Sequence, residues 1–398
     1  MLLRRKLSLR TIRWSQADLH HTQQIIKANT QIIQAVTKPN SEAAEVLVDQ
    51  SNLNLKTAST MRGMTPLSWA AKSGHEEVVK ALLERKDINP DKADVCGQTP
   101  LWLAASNGHE GVLKILLERN DVNPDATDDL GQTPLSRAAE SGHEGAVRIF
   151  LDRGDVRGDV NPDTTDIYDQ TPLSWAAQYG REGVMRILLE RNDVNPSTAS
   201  EHGETPLTYA CIYGHERMVR ELLERNDVDP NTVNDCGQTP LNGAAQCGHE
   251  RVVGILLERG DVNPDSGDDD GETPLSWAAK NGHEGVVKAL VDREDVNPDK
   301  PNRHGQTPLY FAAQNGHEGV VRILLGRGVN PDTLDRYHSS PISRATQNGH
   351  DGIAKLLRGC ADFTSRYAAS PQLTDLISPE PSELSGPLPK RPASFDGQ

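Results

Sequence analysis

Aromatic residues are scarce. Phe, Trp and Tyr together make up 4% of the 398 residues, which argues against one large aromatic-filled core. Cysteine is scarce too: Cys96, Cys211, Cys236, Cys247 and Cys360 include no Cys-x-x-Cys pair. A disulfide framework is excluded, and free thiols in a reducing compartment are expected. No apolar run approaches the roughly 18 residues of a membrane span, so no membrane partner is expected. Basic charge is in short supply. The formal net charge is −15; residues 1–60 carry +4 and residues 361–398 carry −2, which leaves −17 for residues 61–360. Such a body lacks the basic stripe that phosphate-backbone binding needs, so no nucleic-acid partner is expected. Catalytic fingerprints are absent as well. There is no P-loop, dinucleotide fingerprint, Gly-x-Ser-x-Gly elbow or His-Glu-x-x-His motif. The expectation is a chain that is no enzyme and has no cofactor, no metal and no small-molecule substrate.

What is present is repetition. Thr-Pro-Leu begins at Thr65, Thr99, Thr133, Thr171, Thr205, Thr239, Thr273 and Thr307, and Ser340-Pro341-Ile342 is a worn ninth copy. The spacings are 34, 34, 38, 34, 34, 34, 34 and 33 residues. A unit that short cannot bury a core alone, so a fixed period of this length points to a stacked solenoid. In the unit covering residues 89–122, Asn89-Pro90-Asp91 is turn chemistry and residues 94–97 form a second turn. Pro100 opens a helix without losing a needed hydrogen bond. Leu101, Ala104 and Ala105 give it a narrow apolar face, and Gly108 ends it. Val112, Leu113, Leu116 and Leu117 form the buried stripe of a second helix.

Thr-Pro-Leu, the Ala-Ala pair, Gly-His-Glu, the Val-x-x-Leu-Leu helix and Asp-Val-Asn resemble the ankyrin repeat, over about residues 62–359. The resemblance implies an all-α fold: an α-solenoid of stacked helix-turn-helix units with projecting hairpin or loop fingers. Two features depart from the family pattern. The period is 34 rather than the usual 33, with the extra residue in the Asn-Pro-Asp loop. The position after Thr-Pro-Leu, often His in the family, holds Ser68, Trp102, Ser136, Ser174, Thr208, Asn242, Ser276, Tyr310 and Ser343. A cross-loop hydrogen bond usually made by that His must be replaced or lost.

Three regions are expected. Residues 1–60 comprise a basic N-terminal segment and a helical capping half-repeat, with helices over about 15–37 and 42–50. Residues 61–360 form the array, and residues 361–398 form a disordered Pro- and Ser-rich tail. Arg4, Arg5, Lys6, Arg10 and Arg13, without an acid among residues 1–17, fit either a transit peptide or a ragged start to a chain that lacks an upstream domain. Ser370-Pro371 and Ser378-Pro379 have the form of proline-directed kinase sites.

Three patterns imitate chemistry. Gly-His followed by an acid recurs eight times (His75, His109, His143, His215, His249, His283, His317 and His350). A residue present once per unit is scaffold, and a His capping the interhelical turn is the expected role. Residues 265–272 look like a calcium loop, but alignment on Gly271 puts Trp277 where the final Glu should stand. The 38-residue spacing comes from duplicating Gly154-Asp155-Val156-Arg157, which creates Arg157-Gly158-Asp159 by chance.

Function in a repeat array should lie where the units differ. The family resemblance implies a partner held by finger tips and the exposed side of the first helix. Most units carry small or polar residues at those positions. Two neighbours differ: one offers Ile167, Tyr168, Gln170, Gln178 and Tyr179, the next Glu201, His202, Glu204, Ile212 and Tyr213, with Tyr209 nearby. Tyr is enriched at binding hot spots, although these rings could equally pack between repeats. The candidate partner-binding residues are therefore Ile167, Tyr168, Tyr179, Glu201, His202, Glu204, Ile212 and Tyr213. The expected function is a non-catalytic scaffold or adaptor that binds a protein partner with a basic rim on its concave face. It is expected inside the cell, in the cytoplasm first and the nucleus second. Two other readings stand beside it: a regulatory or recognition arm of a larger multidomain protein whose effector domain lies upstream, and an enzyme with its site in residues 1–60.

Overall fold

The computed structural model describes residues 63–152 and 160–368, with side chains to residue 360. The expected N-terminal helices, the duplicated segment with Arg157-Gly158-Asp159, and the tail from residue 369 onward lie outside the described residues. Among the described residues the fold is all-α, with eighteen helices in nine pairs and no strand.

The pairs are α1 (Pro66–Ser73) with α2 (Glu76–Glu84), α3 (Pro100–Ser106) with α4 (Glu110–Leu117), α5 (Pro134–Ser141) with α6 (Glu144–Leu151), and α7 (Pro172–Gln178) with α8 (Glu182–Leu189). Then come α9 (Pro206–Ile212) with α10 (Glu216–Leu223), α11 (Pro240–Cys247) with α12 (Glu250–Leu257), and α13 (Pro274–Asn281) with α14 (Glu284–Val291). The last are α15 (Pro308–Asn315) with α16 (Glu318–Gly326), and α17 (Pro341–Gln347) with α18 (Asp351–Ala368). First helices stack on first helices and second on second, each packing against its sequence neighbours.

Local chemistry fixes each pair. The Thr of Thr-Pro-Leu is an extended N-cap whose hydroxyl accepts the backbone N–H three residues on, as from Trp102 to Thr99 at 3.2 Å. Pro at the first helical position presets the backbone. The Leu and paired Ala of the first helix and the aliphatic stripe of the second are buried in one continuous core running through all nine pairs. Ala-Ala lets the first helices approach closely, which is why a core this poor in aromatics still closes.

The role of the recurrent His differs from expectation. It occupies the N-cap position of seven second helices but makes no side-chain cap bond there. Its Nε2 instead donates to a backbone carbonyl of the preceding repeat: His109 to Lys72 at 2.9 Å, His143 to Ser106 at 3.1 Å, His283 to Gln246 at 3.0 Å, His317 to Lys280 at 3.0 Å. A carbonyl only accepts, so Nε2 carries the proton. The unit lacking His keeps the bond through Arg181, whose Nε donates to Glu140 O at 2.9 Å. The ring lies against the helix-ending glycine of the preceding repeat. A Cβ on Gly248 would stand 2.5 Å from His283 Nδ1, and Gly248 also has φ +78°. Only glycine meets both demands.

Three further ladders run in parallel. Each finger is a tight turn held by an Asp, Asn or Ser side chain; Asp94 Oδ1 accepts from Cys96 N at 2.9 Å and Gln98 N at 3.0 Å. Successive tips are joined by one backbone bond each, from Asp129 N to Cys96 O at 3.0 Å through to Arg336 N to His304 O at 2.8 Å. Below the second helices, Arg119 grips Asp121 in a bidentate pair and donates to Leu83 O of the repeat before, at 2.8 Å. Arg191, Arg225, Arg259 and Arg293 repeat this arrangement. The hydrogen bonds from Arg hold Asp121, Asp193, Asp227, Asp261 and Asp295 below the ordinary carboxylate range. The Asn-Pro-Asp loops form the last ladder: Asp91 Oδ2 accepts from Asn123 N at 2.7 Å, and Asp163 Oδ2 from Asn195 N at 2.8 Å.

The missing family His is replaced unevenly. Ser68 and Ser136 turn inward onto their own cap threonines, at 2.9 Å each. Asn242 crosses to Glu272 O at 3.2 Å, and the Tyr310 hydroxyl donates to Asp335 Oδ2 at 2.8 Å. The longer spacing leaves the arginine rung across it intact. Arg191 reaches back 40 residues where its counterparts reach 36, and the bond is the same. At the C-terminal end α18 continues to Ala368, past residue 360 where the tail was expected to begin. The earlier second helices run into Pro-containing turns such as Asn-Pro-Asp, whereas no Pro follows α18 until Pro371.

Two outcomes follow. His283→Ala removes one rung and should cost about 1–2 kcal/mol in urea unfolding, whereas Arg181→His should stay within about 0.5 kcal/mol of wild type because it restores the common rung. The second concerns pH. Burial pushes the Asp91 carboxyl up, against the bond from Asn123, and its Oδ1 is buried without a partner among the described residues. The corresponding residue four repeats on is Asn231, whose Nδ2 donates to Asp261 O at 2.7 Å. A folded carboxyl with a raised pKa favours folding when protonated and costs stability as pH rises through that value. Asp91→Asn should therefore stabilise the chain at pH 7, and the gain should vanish below the carboxylate range in urea titrations across pH.

Candidate partner-binding face

The two distinctive repeats meet along the finger side of α7 and α9. At the first tip Ile167 and Tyr168 are 55% and 42% exposed. Asp166 Oδ1 holds that tip through Tyr168 N at 2.9 Å and Gln170 N at 3.0 Å. Asp169 completes it at φ +55°, where most tips have glycine. A non-glycine residue in the left-handed region is strained, and it persists where its surroundings hold it. The next tip is tied to this one by Glu201 N donating to Tyr168 O at 2.9 Å. It exposes Glu201 and His202, whose Nε2 lies 3.6 Å from Glu201 Oε1.

Tyr179 and Tyr213 end the two first helices, 46% and 48% exposed. Tyr179 stacks on Trp175 at 5.9 Å between centroids, and Tyr213 on His215 at 6.3 Å. A relay connects tip, helix and neighbour. Gln170 Nε2 donates to Gln178 Oε1 at 3.1 Å, and Gln178 Nε2 donates to the Tyr213 hydroxyl at 3.2 Å. The rings are thus held in place while one face of each stays open to solvent, which lowers the entropy cost of engaging them.

Six of the eight expected residues face solvent: Ile167, Tyr168, Tyr179, Glu201, His202 and Tyr213. The other two are turned to structural use. Ile212 is half-buried, because Gly243 on α11 leaves a gap that its side chain fills; a Cβ there would stand 2.9 Å from Ile212 Cγ1. Glu204 is half-buried too. Its Oε1 accepts from Asn234 Nδ2 at 2.8 Å, its Oε2 has no partner among the described residues, and burial pushes its carboxyl up.

The face is wider than the expected residues. Trp69, Trp175, Tyr209, Trp277 and Phe311 all stand four residues after the cap Thr and form an aromatic row along the first helices, broken by Leu103, Arg137 and Gly243. Trp175 and Trp277 bind their own fingers, donating to Asp166 Oδ2 and Asp268 Oδ2 at 2.9 Å each. Lys280 lies over Trp277 at 4.3 Å and pairs with Glu272 at 3.0 Å. Burial pushes the Tyr209 hydroxyl up, so it stays protonated as a hydrogen-bond donor. Val95 and Leu130, exposed on the first two tips, extend the apolar ridge of Ile167 and Tyr168. The fixed offset of tryptophan from Thr-Pro-Leu was the available signal for the row. None of the five cysteines forms a disulfide among the described residues, and burial pushes the Cys211 thiol up. No cluster of three or more His, Cys, Asp or Glu side chains among the described residues could hold a metal ion. No helix among them is long and apolar enough to cross a membrane.

Helix pairs stacked in two layers beneath a row of tied turns make this chain a helical repeat solenoid. A family model of ankyrin repeats, spanning three copies, matches residues 6–94, 86–161, 156–234, 226–302 and 294–367. The chain belongs to the ankyrin repeat family, whose arrays generally serve protein–protein interaction. A search among curated proteins returned no match.

Proposed function

We propose that this chain is a non-catalytic adaptor that binds a protein partner on its concave finger and first-helix face, centred on Tyr168, Tyr179 and Tyr213. The supporting observation is that three tyrosines on adjacent repeats are about half exposed, with the rings of Tyr179 and Tyr213 held by stacking or a hydrogen bond and the backbone of Tyr168 held in its finger turn. Tyr offers large contact area with few rotors to freeze and keeps a hydroxyl for hydrogen bonding. A specific interface needs about 800 Å² per partner, and a few neighbouring repeats supply that. Glu201 and the acidic body around it favour a partner with a basic rim, and those charges act mainly on association rate and fade with salt. The free thiols accord with a reducing compartment inside the cell.

Proteins captured on the full chain and identified by mass spectrometry supply the ligand for titration. Tyr179→Ala and Tyr213→Ala should each weaken binding by on the order of 2 kcal/mol. Asn281→Ala, two repeats away, should leave it unchanged. Asn281 Nδ2 donates to Gln246 O at 3.0 Å, so melting curves must accompany each titration. Full affinity in a folded Tyr179→Ala, Tyr213→Ala double variant would move the site elsewhere.

A further inference from the structure

The row of finger tips changes sign along its length. The tips from Asp94 to Glu272 carry acids, ending in Asp268, Asp269 and Asp270. The last two tips carry bases: Arg303 with His304, then Arg336 and His338 flanking Tyr337. All five side chains are exposed, and so is Leu334 beside them. Neither Arg303 nor Arg336 forms an ion pair among the described residues, whereas most other arginines of the array are paired. Tyr337 is 73% exposed, the highest value among the exposed large hydrophobic side chains of the described residues. Among the described residues no ion pair engages the two guanidinium groups.

The two tips are nonetheless firmly built. Arg336 N donates to His304 O at 2.8 Å, which fixes one tip against the other. Asp335 is buried at the base of the last tip and receives Tyr337 N at 2.9 Å, Ser339 N at 2.8 Å and the Tyr310 hydroxyl at 2.8 Å. Arg344 adds a contact at 3.5 Å. His338 closes the turn at φ +57°, where seven other repeats have glycine at the same position. A left-handed histidine is retained at a conformational cost, and its side chain is exposed next in sequence to Tyr337. Two unpaired guanidinium groups, two imidazoles, an aromatic ring and an exposed Leu are thus presented on a rigid base.

We infer that the last two finger tips form a second docking surface, separate from the tyrosine face, that takes an acidic peptide segment carrying an apolar side chain. The guanidinium groups supply the bidentate geometry that carboxylates accept. Tyr337 and Leu334 give the apolar contact that pure charge pairing lacks. Charge complementarity selects the occupant: this is an unpaired basic surface on a chain of net charge −15. A nucleic acid fits less well, because two arginines beside the Asp268–Asp270 tip neutralise few phosphates.

The test uses the full chain and a short labelled peptide of alternating Glu and Leu, read by fluorescence anisotropy. The peptide should bind. The double variant Arg303→Glu, Arg336→Glu should weaken it by roughly tenfold or more, and Tyr337→Ser should weaken it at unchanged ionic strength. Tyr179→Ala, Tyr213→Ala should leave it unaltered, which separates this surface from the tyrosine face. Because the substituted residues are exposed, melting curves should match wild type. Four results overturn the inference. These are no binding of the peptide, binding that survives charge reversal, stronger binding of a single-stranded oligonucleotide at the same tips, and a concentration-dependent assembly of the chain abolished by the same reversal. The last would make a second copy the occupant. Amides of residues 369–398 that lose protection on charge reversal would assign the surface to the chain's own tail and overturn it as well.

Discussion

The histidine that reaches back across each repeat is the contact on which the array depends. Its Nε2 donates to a carbonyl in the preceding unit while its ring covers a glycine held at positive φ. The one bond satisfies a carbonyl at the end of a first helix, sets the spacing between units and requires the glycine beneath it. The surrounding sequence follows from that geometry. The glycine before each His ends the first helix at positive φ and is the surface that the next repeat's His covers, and the acid after His opens the second helix where its dipole favours negative charge. Arg181 shows that the requirement is a donor at the right reach rather than an imidazole.

Around this contact the other ladders divide the work. Backbone bonds between tips align the fingers, and the bidentate Arg–Asp pairs brace the ends of the second helices. The loop carboxylates tie the turns. The Arg–Asp and loop carboxylates respond to acid in opposite senses. Aspartates bound to arginine lose their contribution as pH falls through their lowered range, while buried loop aspartates are relieved of a cost as they take up protons. Each exposed pair contributes little alone, and the effect accumulates because every unit repeats it.

Much of the fold could be read from the residues, because its determinants are local. Thr-Pro-Leu announces a cap, the Ala pair and aliphatic stripe announce two helices, and glycine announces their turn. The role of the histidine was not legible, since its acceptor lies 37 residues away and only stacking brings them together. The half-burial of Ile212 and Glu204 was hidden for the same reason. Gly243 and Asn234, in the next unit, decide whether those side chains face solvent. The aromatic row was visible at a fixed offset, but its half-buried placement depends on neighbouring helices. The sign change along the finger tips was also present in the sequence, yet its meaning rests on which arginines are paired, and pairing is a property of the stacked array.

The central claim is that repeats are coupled to their neighbours through these rungs and to little else, so that damage to one rung stays local. Native-state amide exchange on the full chain carrying His283→Ala tests this most directly. The account predicts faster exchange in α11 to α14, on both sides of the lost bond, with α3, α4 and α15 unchanged. Uniform acceleration along the whole array, or no change in α11 to α14, would contradict it.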